Sequence, residues 1–186
     1  MTLVLRTSSN AAGLTQIVNP HEITDELKQA LVDCWTEVSN AGGAAGFPFP
    51  QVDAAEVTAA LDRIIKDLAP TTSRLLIALS DGTVAGWPNI RRDPHPLITH
   101  WGTLHHVQTW LSVRGQGIGA ALMRRAREVA RDEVGLEQLH LAARGGVGLE
   151  EFYGRLGWKE IGRWPGALRL AKGDDRDEVL MVLSPL

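Results

Sequence analysis

Between an apolar stretch that runs to Trp110 and an amphipathic run that starts at Ile118 lies the segment Val113-Arg114-Gly115-Gln116-Gly117-Ile118-Gly119-Ala120-Ala121-Leu122. It commits this part of the chain to a strand, a tight turn and a helix, in that order. Glycine has no Cβ, so backbone built from Gly115, Gly117 and Gly119 can come close to a ligand. The start of the helix adds N–H groups that have no partner within the helix, together with the positive end of its dipole. A pyrophosphate suits such a turn. The spacing Arg114-x-x-Gly117-x-Gly119 is neither the dinucleotide pattern G-x-G-x-x-G nor a Walker A loop, which needs Gly-Lys-Ser/Thr.

The 186 residues suffice for one domain with a sizeable core and are too few for two comfortable ones. With 22% charged and 44% hydrophobic residues the composition is that of a soluble globular protein. A formal net charge of −3 gives no electrostatic case for nucleic acid or an anionic membrane. Met1 to Gly13 lacks the features of a signal peptide, and no apolar run reaches membrane-spanning length. The expectation is a cytoplasmic protein with no membrane or nucleic-acid partner. The single cysteine, Cys34, excludes an internal disulfide.

Periodicity orders the elements along one domain spanning residues 1–186, with residues 1–12 expected to be frayed. Leu14 to Val18 reads as a strand. Asn19-Pro20-His21-Glu22 reads as a helix start, followed by the stripe Ile23, Leu27, Ala30, Leu31, Cys34, Trp35 and Val38. Cys34 lies in that stripe and reads as core. Asn40 to Gly46 ends the helix. Asp53 and Glu56 form a capping pair for a second helix, with Val57, Leu61, Ile64, Ile65 and Leu68 on one face. Arg74 to Leu79 and Thr83 to Trp87 flank the hairpin turn Asp81-Gly82, and Pro88 marks a strand end, an edge or a bulge. A strand follows within Leu97–Trp110, then the glycine turn and its helix. Next come a strand at Gln138–Ala143, a short helix at Gly148–Leu156, and a strand pair at Lys159–Trp164 and Glu178–Leu183 around a polar loop. This order predicts an α/β (α+β) fold: a central mixed, mostly antiparallel sheet of about six to seven strands flanked by about four helices.

Two motifs carry a family resemblance. Arg114-x-x-Gly117-x-Gly119 is similar to the coenzyme A signature of the GNAT acetyltransferase superfamily. Leu149-x-x-Phe152-Tyr153-x-x-Leu156-Gly157-Trp158 resembles that family's later helix. The loop Gly42-Gly43-Ala44-Ala45-Gly46-Phe47 is similar, more locally, to the corresponding loop of tabtoxin-resistance acetyltransferases. The resemblance implies acetyl-CoA as cosubstrate, no metal, and direct transfer to the amine of a small molecule. It places the cosubstrate where Leu104–Trp110 and Gln138–Ala143 splay apart. The pyrophosphate would sit on Arg114, Gly115, Gln116, Gly117, Ile118, Gly119 and Ala120, and the pantetheine would pair with the backbone of Val107 and Thr109.

Tyr153, the chain's only tyrosine, falls where the family protonates the departing thiolate. Many relatives carry a glutamate where this chain has Thr103, which cannot serve as a base. His105, two residues on, is the candidate base, with His106 and a water relay left open. Alternation along a strand predicts that at most one of the two histidines lines the cleft. Trp35, Phe47 and Phe49 are candidates to wall the acceptor pocket. Arg144 is a candidate to pair with a carboxylate or phosphate on the acceptor. Two other readings stand beside this one: a protein lysine or N-terminal acetyltransferase, and a coenzyme A-binding module with little turnover. Either a monomer or a homodimer is compatible with the sequence.

Overall fold

The computed structural model describes residues 13–42, 46–47 and 51–186. The chain runs β1 (Gly13–Ile17), α1 (Asp25–Asn40), α2 (Ala54–Lys66), β2 (Ser73–Ser80), β3 (Thr83–Arg92) and β4 (Trp101–Thr109). It continues with α3 (Ile118–Glu128), β5 (Gln138–Arg144), α4 (Leu149–Arg155), β6 (Lys159–Ala171) and β7 (Asp174–Leu183). The seven strands form one sheet in the order β1-β2-β3-β4-β5-β7-β6. Every neighbouring pair is antiparallel except β4 and β5, which run parallel. A parallel pair needs a crossover, and α3 supplies it. The element order and the mixed sheet are those the sequence predicts. Among the described residues no helix is long and apolar enough to cross a membrane.

Strand β2 shows how the sheet is covered. Its run of buried apolar residues sends Leu75 and Ile77 to one face and Leu76 and Ala78 to the other, as the two-residue period requires. The first face packs against α1 and α2 through Leu31, Val32, Trp35, Val38, Val57 and Leu61. The second packs against α3 through Ile118, Leu122, Met123 and Ala126, and against α4 through Tyr153. Cys34 is fully buried in the first cluster, and burial pushes its thiol up to about 12, so it is an inert core residue.

Three boundaries differ from the sequence reading. Asn19 does not start the long helix. Pro20–Glu22 is a single 3₁₀ turn, and the Glu22 carboxylate takes the N–H groups of Val18 and Asn19. Ile23 is extended, and α1 begins at Asp25 with Thr24 accepting from Leu27 N–H. Of the alternatives open at Pro88 the bulge is the one found, and strand β3 does not stop at Trp87. It passes through Pro88 to Arg92, because the residues opposite Pro88 bulge and no ladder bond is asked of the missing N–H. The β6–β7 hairpin extends through residues read as a polar loop, to a turn at Lys172–Gly173. Oppositely charged pairs face each other across it, with Arg169 bonded twice to Asp175 at 2.8 and 3.0 Å.

The capping pair at Asp53 is present as read. Its Oδ1 accepts Glu56 N–H at 2.8 Å, and Glu56 Oε2 accepts Asp53 N–H at 3.2 Å. Asp53→Ala removes one half of this box and is expected to lower stability by about 1 kcal/mol. In a chain of this length that is a fall of about 2–4 °C in the melting midpoint, readable by circular dichroism.

Candidate active site

The site begins where β4 and β5 stop pairing. Their parallel register holds for Trp101 with Gln138, Gly102 with Leu139, and Thr103 with His140, and no pairing follows. On its far side β4 continues to pair with β3 as far as Thr109, and β5 with β7 as far as Arg144. The facing edges beyond Thr103 and His140 are therefore free inside the sheet. Such an edge offers backbone donors and acceptors to an extended ligand. Val107 and Thr109 lie in this part of β4.

At the open end of β4 the chain enters the glycine turn. Gly115 and Gly117 have φ of +79° and +82°, a region that favours glycine, and a Cβ on either would meet nothing within 4 Å. Gly117 caps α3 without a side-chain hydrogen bond, and the first turn holds no acidic residue. The first helical bond at this end runs from Ala121 N–H to Gly117 C=O, so the N–H groups of Ile118, Gly119 and Ala120 have no helical acceptor. Arg114 and Gln116 are exposed beside them. The turn is thus an uncapped cluster of donors whose chemistry fits a polyanion.

The second motif docks against this turn. A Cβ on Gly119 would lie 3.4 Å from the Phe152 ring and 3.9 Å from Thr109 Cγ2. The bare backbone at Gly119 lets α4 and β4 close around the start of α3. Tyr153, the next residue, is buried, with its ring 5.1 Å from Phe152 and 6.0 Å from Trp158. Burial alone raises its phenol to about 12. It stays protonated at any working pH and is available as a hydrogen-bond donor.

The two histidines are not placed as alternation predicts. In the β3–β4 register Trp87 faces Gln108 and Asn89 faces His105, so one residue, Pro88, opposes two, His106 and Val107. His106 takes a left-handed φ of +55°, and this bulge turns its ring towards that of His105, 5.9 Å away. Both rings now lie on the α1 side of the sheet. His106 is packed 4.6 Å from Trp35 and 6.0 Å from Trp87, and a Cβ on Gly46 would lie 3.5 Å from its Cε1. Burial, with His105 and Arg91 adding to it, lowers the imidazole of His106 to about 4. His105 is lowered by burial and then by Arg91. Both are neutral at pH 7.

Trp35 is only 2% exposed and forms the floor behind His106, in contact with Phe47 at 5.0 Å and Trp87 at 5.3 Å. Phe49 lies outside the described residues, as do residues 1–12 and 43–45. Arg144, at the end of β5, is buried and donates from Nη2 to the Gly42 carbonyl. Three neighbours were not singled out from the sequence. His140 stacks on Trp101 at 4.6 Å at the root of the cleft, with a buried Nε2 lacking a partner. Gln108 is 3% exposed with both amide atoms unpartnered. Asn89, opposite His105, gives its Nδ2 to Ser73 Oγ and the Arg74 carbonyl and leaves Oδ1 unpartnered. The available signal was polar side chains alternating with apolar ones in the cleft strands.

The lowered value of His106 links folding to pH. The unfolded imidazole binds a proton near 6.5 and the folded one only near 4, so stability is complete above pH 6.5 and is lost as pH falls towards 4. The loss is about 3 kcal/mol at its limit. His106→Asn keeps a residue that tolerates positive φ and removes the titration. Urea unfolding at pH 7 and pH 4.5 should show the parent protein losing about 2–3 kcal/mol more than the variant. Equal losses would disprove the assignment.

Three comparisons bear on identity. Residues 25–158 match the model of the Acetyltransferase (GNAT) family. Among solved structures, the chain is similar to an acetyltransferase of the GNAT family from Streptococcus pneumoniae, at 20% identity over 91% of this chain and 98% of that one, with a TM-score of 0.70. It is similar to a ribosomal-protein-alanine N-acetyltransferase from Brucella melitensis, at 22% identity over 88% and 97%, with a TM-score of 0.68. It is also similar to a protein assigned as a phosphinothricin N-acetyltransferase, at 18% identity over 92% and 98%, with a TM-score of 0.73. At these identities the likeness is one of fold. By sequence, no curated protein matches the chain. The family model covers more than half of the chain, and on that match the protein belongs to the GNAT family of acetyltransferases.

Proposed function

We propose that the protein transfers the acetyl group of acetyl-CoA directly to the amine of a small molecule. The observation that carries this reading is the meeting of the free inner edges of β4 and β5 with the uncapped start of α3 and with Tyr153. In this reading the N–H groups of Ile118, Gly119 and Ala120, with Arg114, Gly115, Gln116 and Gly117 around them, hold the pyrophosphate. The backbone of Val107 and Thr109 holds the pantetheine as an added strand. The bound thioester supplies the activated acetyl group.

The chain's own residues then manage protons. His105, neutral at pH 7, takes the proton from the acceptor ammonium, which frees a lone pair to attack the thioester carbonyl. The carbon–nitrogen bond forms and the carbon–sulfur bond breaks. Tyr153 donates a hydrogen bond to the departing sulfur. With its phenol near 12, full proton transfer to a thiolate of ordinary pKa, about 8.5, is uphill, so its contribution is stabilisation of developing negative charge. His106, held near 4 and clamped by Trp35 and Trp87, is a wall of the pocket and a poor proton acceptor.

A small acceptor is favoured over a peptide by the α1–α2 loop. Gly42 bonds Arg144 on β5, and Gly46 lies against His106 on β4, so the loop touches both arms of the cleft on the acceptor side. In this reading Gly42 and Gly46, set against the two arms, favour a compact acceptor over a chain laid across. The solved structure assigned as a phosphinothricin N-acetyltransferase is consistent with a small acceptor.

Thiol release from acetyl-CoA against a panel of small amines and short peptides tests the reading. Tyr153→Phe should lower kcat about 10²-fold and leave the KM for acetyl-CoA within twofold. His105→Ala should remove the acidic limb of the kcat/KM profile, which in the parent protein lies below pH 6.5. Unchanged turnover in Tyr153→Phe would remove its role, and peptides preferred over small amines would overturn the acceptor class.

A further inference from the structure

Three arginines gather where β5, β6 and β7 meet at the mouth of the cleft. Arg163 is paired with Glu160 at 2.9 Å and Asp177 at 3.3 Å. Arg176 is paired with Asp174. Among the described residues Arg144 has no ion pair, although it is only 8% exposed. Glu178 stands opposite it in the β5–β7 register and makes no bridge to it. The guanidinium donates from Nη2 to the Gly42 carbonyl, while its Nε is buried without a partner. Burial and then the neighbouring Arg176 disfavour its charge, and Asp174, which is held by Arg176, offsets them only from a distance. A buried cation without an ion-pair partner of its own is costly.

Leu139, Leu141 and Ala143 pack towards α3 and α4, so Arg144 lies on the opposite face, the face that carries His105 and His106. Thr103 and His140 are the last parallel pair. From that level His105 is two residues along its strand, about 7 Å, and Arg144 four residues along its own, about 13 Å. The loop that touches both arms does so at Gly42 and Gly46, points at most about 14 Å apart along the chain. The candidate base is deep in the cleft and the unpaired cation is nearer its mouth.

We propose that Arg144 is an oxyanion subsite for the acceptor, which is therefore a zwitterionic amine: a primary amine carrying a carboxylate, phosphinate or phosphonate. The proposal rests on the acetyl-transfer reading and names its substrate class. The amine points in towards His105 and the oxyanion accepts hydrogen bonds from the Arg144 guanidinium, whose planar fork suits either kind of anion. The buried guanidinium gains a directly bonded counter-ion when the acceptor is bound. This makes the analogue that lacks the oxyanion a poor ligand, because it would leave Arg144 desolvated and unpaired.

The test compares matched acceptors that differ only in the anion: methionine against 3-(methylthio)propylamine, and an α-aminophosphonate against its parent amine. Each is assayed by thiol release with the parent protein, Arg144→Gln and Arg144→Lys. The parent protein should prefer the zwitterions. Arg144→Gln should raise their KM at least about 30-fold, leave the KM for acetyl-CoA within twofold, and abolish the preference. Arg144→Lys, a charge without the fork, should fall between. Carboxylate and phosphonate arms that respond differently identify which oxyanion the site takes. A parent protein that prefers the amines without the anion overturns the proposal and leaves the transferase reading intact, as does an equal loss on both members of a pair.

Thermal melts of coenzyme A-saturated protein read the subsite without turnover. The zwitterion should raise the midpoint of the parent protein and not that of Arg144→Gln, whose own midpoint should equal or exceed the parent's because an unpaired buried charge is gone. No shift in the parent protein, or a large destabilisation of Arg144→Gln, would show that Arg144 only anchors the Gly42 loop. Absence of turnover with every acceptor, with the shift present, would fail the transferase reading and keep the anion subsite.

Discussion

The site depends on one pairing being cut short. Strands β4 and β5 share only three parallel register pairs before they part. The reason lies in β4. Strand β5 keeps an unbroken register with β7 from Leu139 to Arg144. Strand β4 carries a bulge at His106 and Val107 opposite Pro88, and a bulge bends and over-twists the strand that holds it. One strand turns away while the other cannot follow. Two free backbone edges in the middle of a sheet would be a liability in a protein without a ligand for them. Here they face a cleft between the two helical layers.

The same bulge divides the sheet chemically. Towards α3 and α4 the cleft strands present apolar side chains, with Leu104, Leu139, Leu141 and Ala143 in one continuous core. Towards α1 and α2 they present His105, His106, Gln108, His140 and Arg144, with several buried polar atoms left without partners. Unpaired buried polar groups cost stability and are concentrated on one face, beside the loop from Gly42 to Gly46. A face of that kind is suited to recognising a polar acceptor, and the apolar face is suited to holding the scaffold rigid. His106 belongs to both: its ring is packed as a core aromatic, and its strained backbone directs the strand.

Much of this was readable from residue order. The turn from Arg114 to Gly119 and the capping pair at Asp53 and Glu56 are local devices, set by residues within a few positions of one another. Element order followed from periodicity, and Cys34 as a core residue followed from its place in a helical stripe. What stayed open or failed locally did so for tertiary reasons. Pro88 reads as a strand end, an edge or a bulge because a proline removes a ladder bond, and only the register across from it selects the bulge. Asn19 reads as a helix cap, yet Ile23 is extended and hands that role to Thr24.

The chain by itself therefore determined the fold family, the order of the elements, the donor-rich turn and the position of Tyr153 on the helix that meets it, since each rests on short-range spacing. Only the tertiary structure decided that His105 and His106 share a face, because a single positive φ inverts the alternation that sequence reasoning must assume. Only it decided that Arg144 is buried without an ion pair among the described residues while Arg163 and Arg176 are paired, because ion pairing depends on which strands become neighbours. Spacing along a chain encodes local geometry. Charge balance at a site is a property of the packed whole.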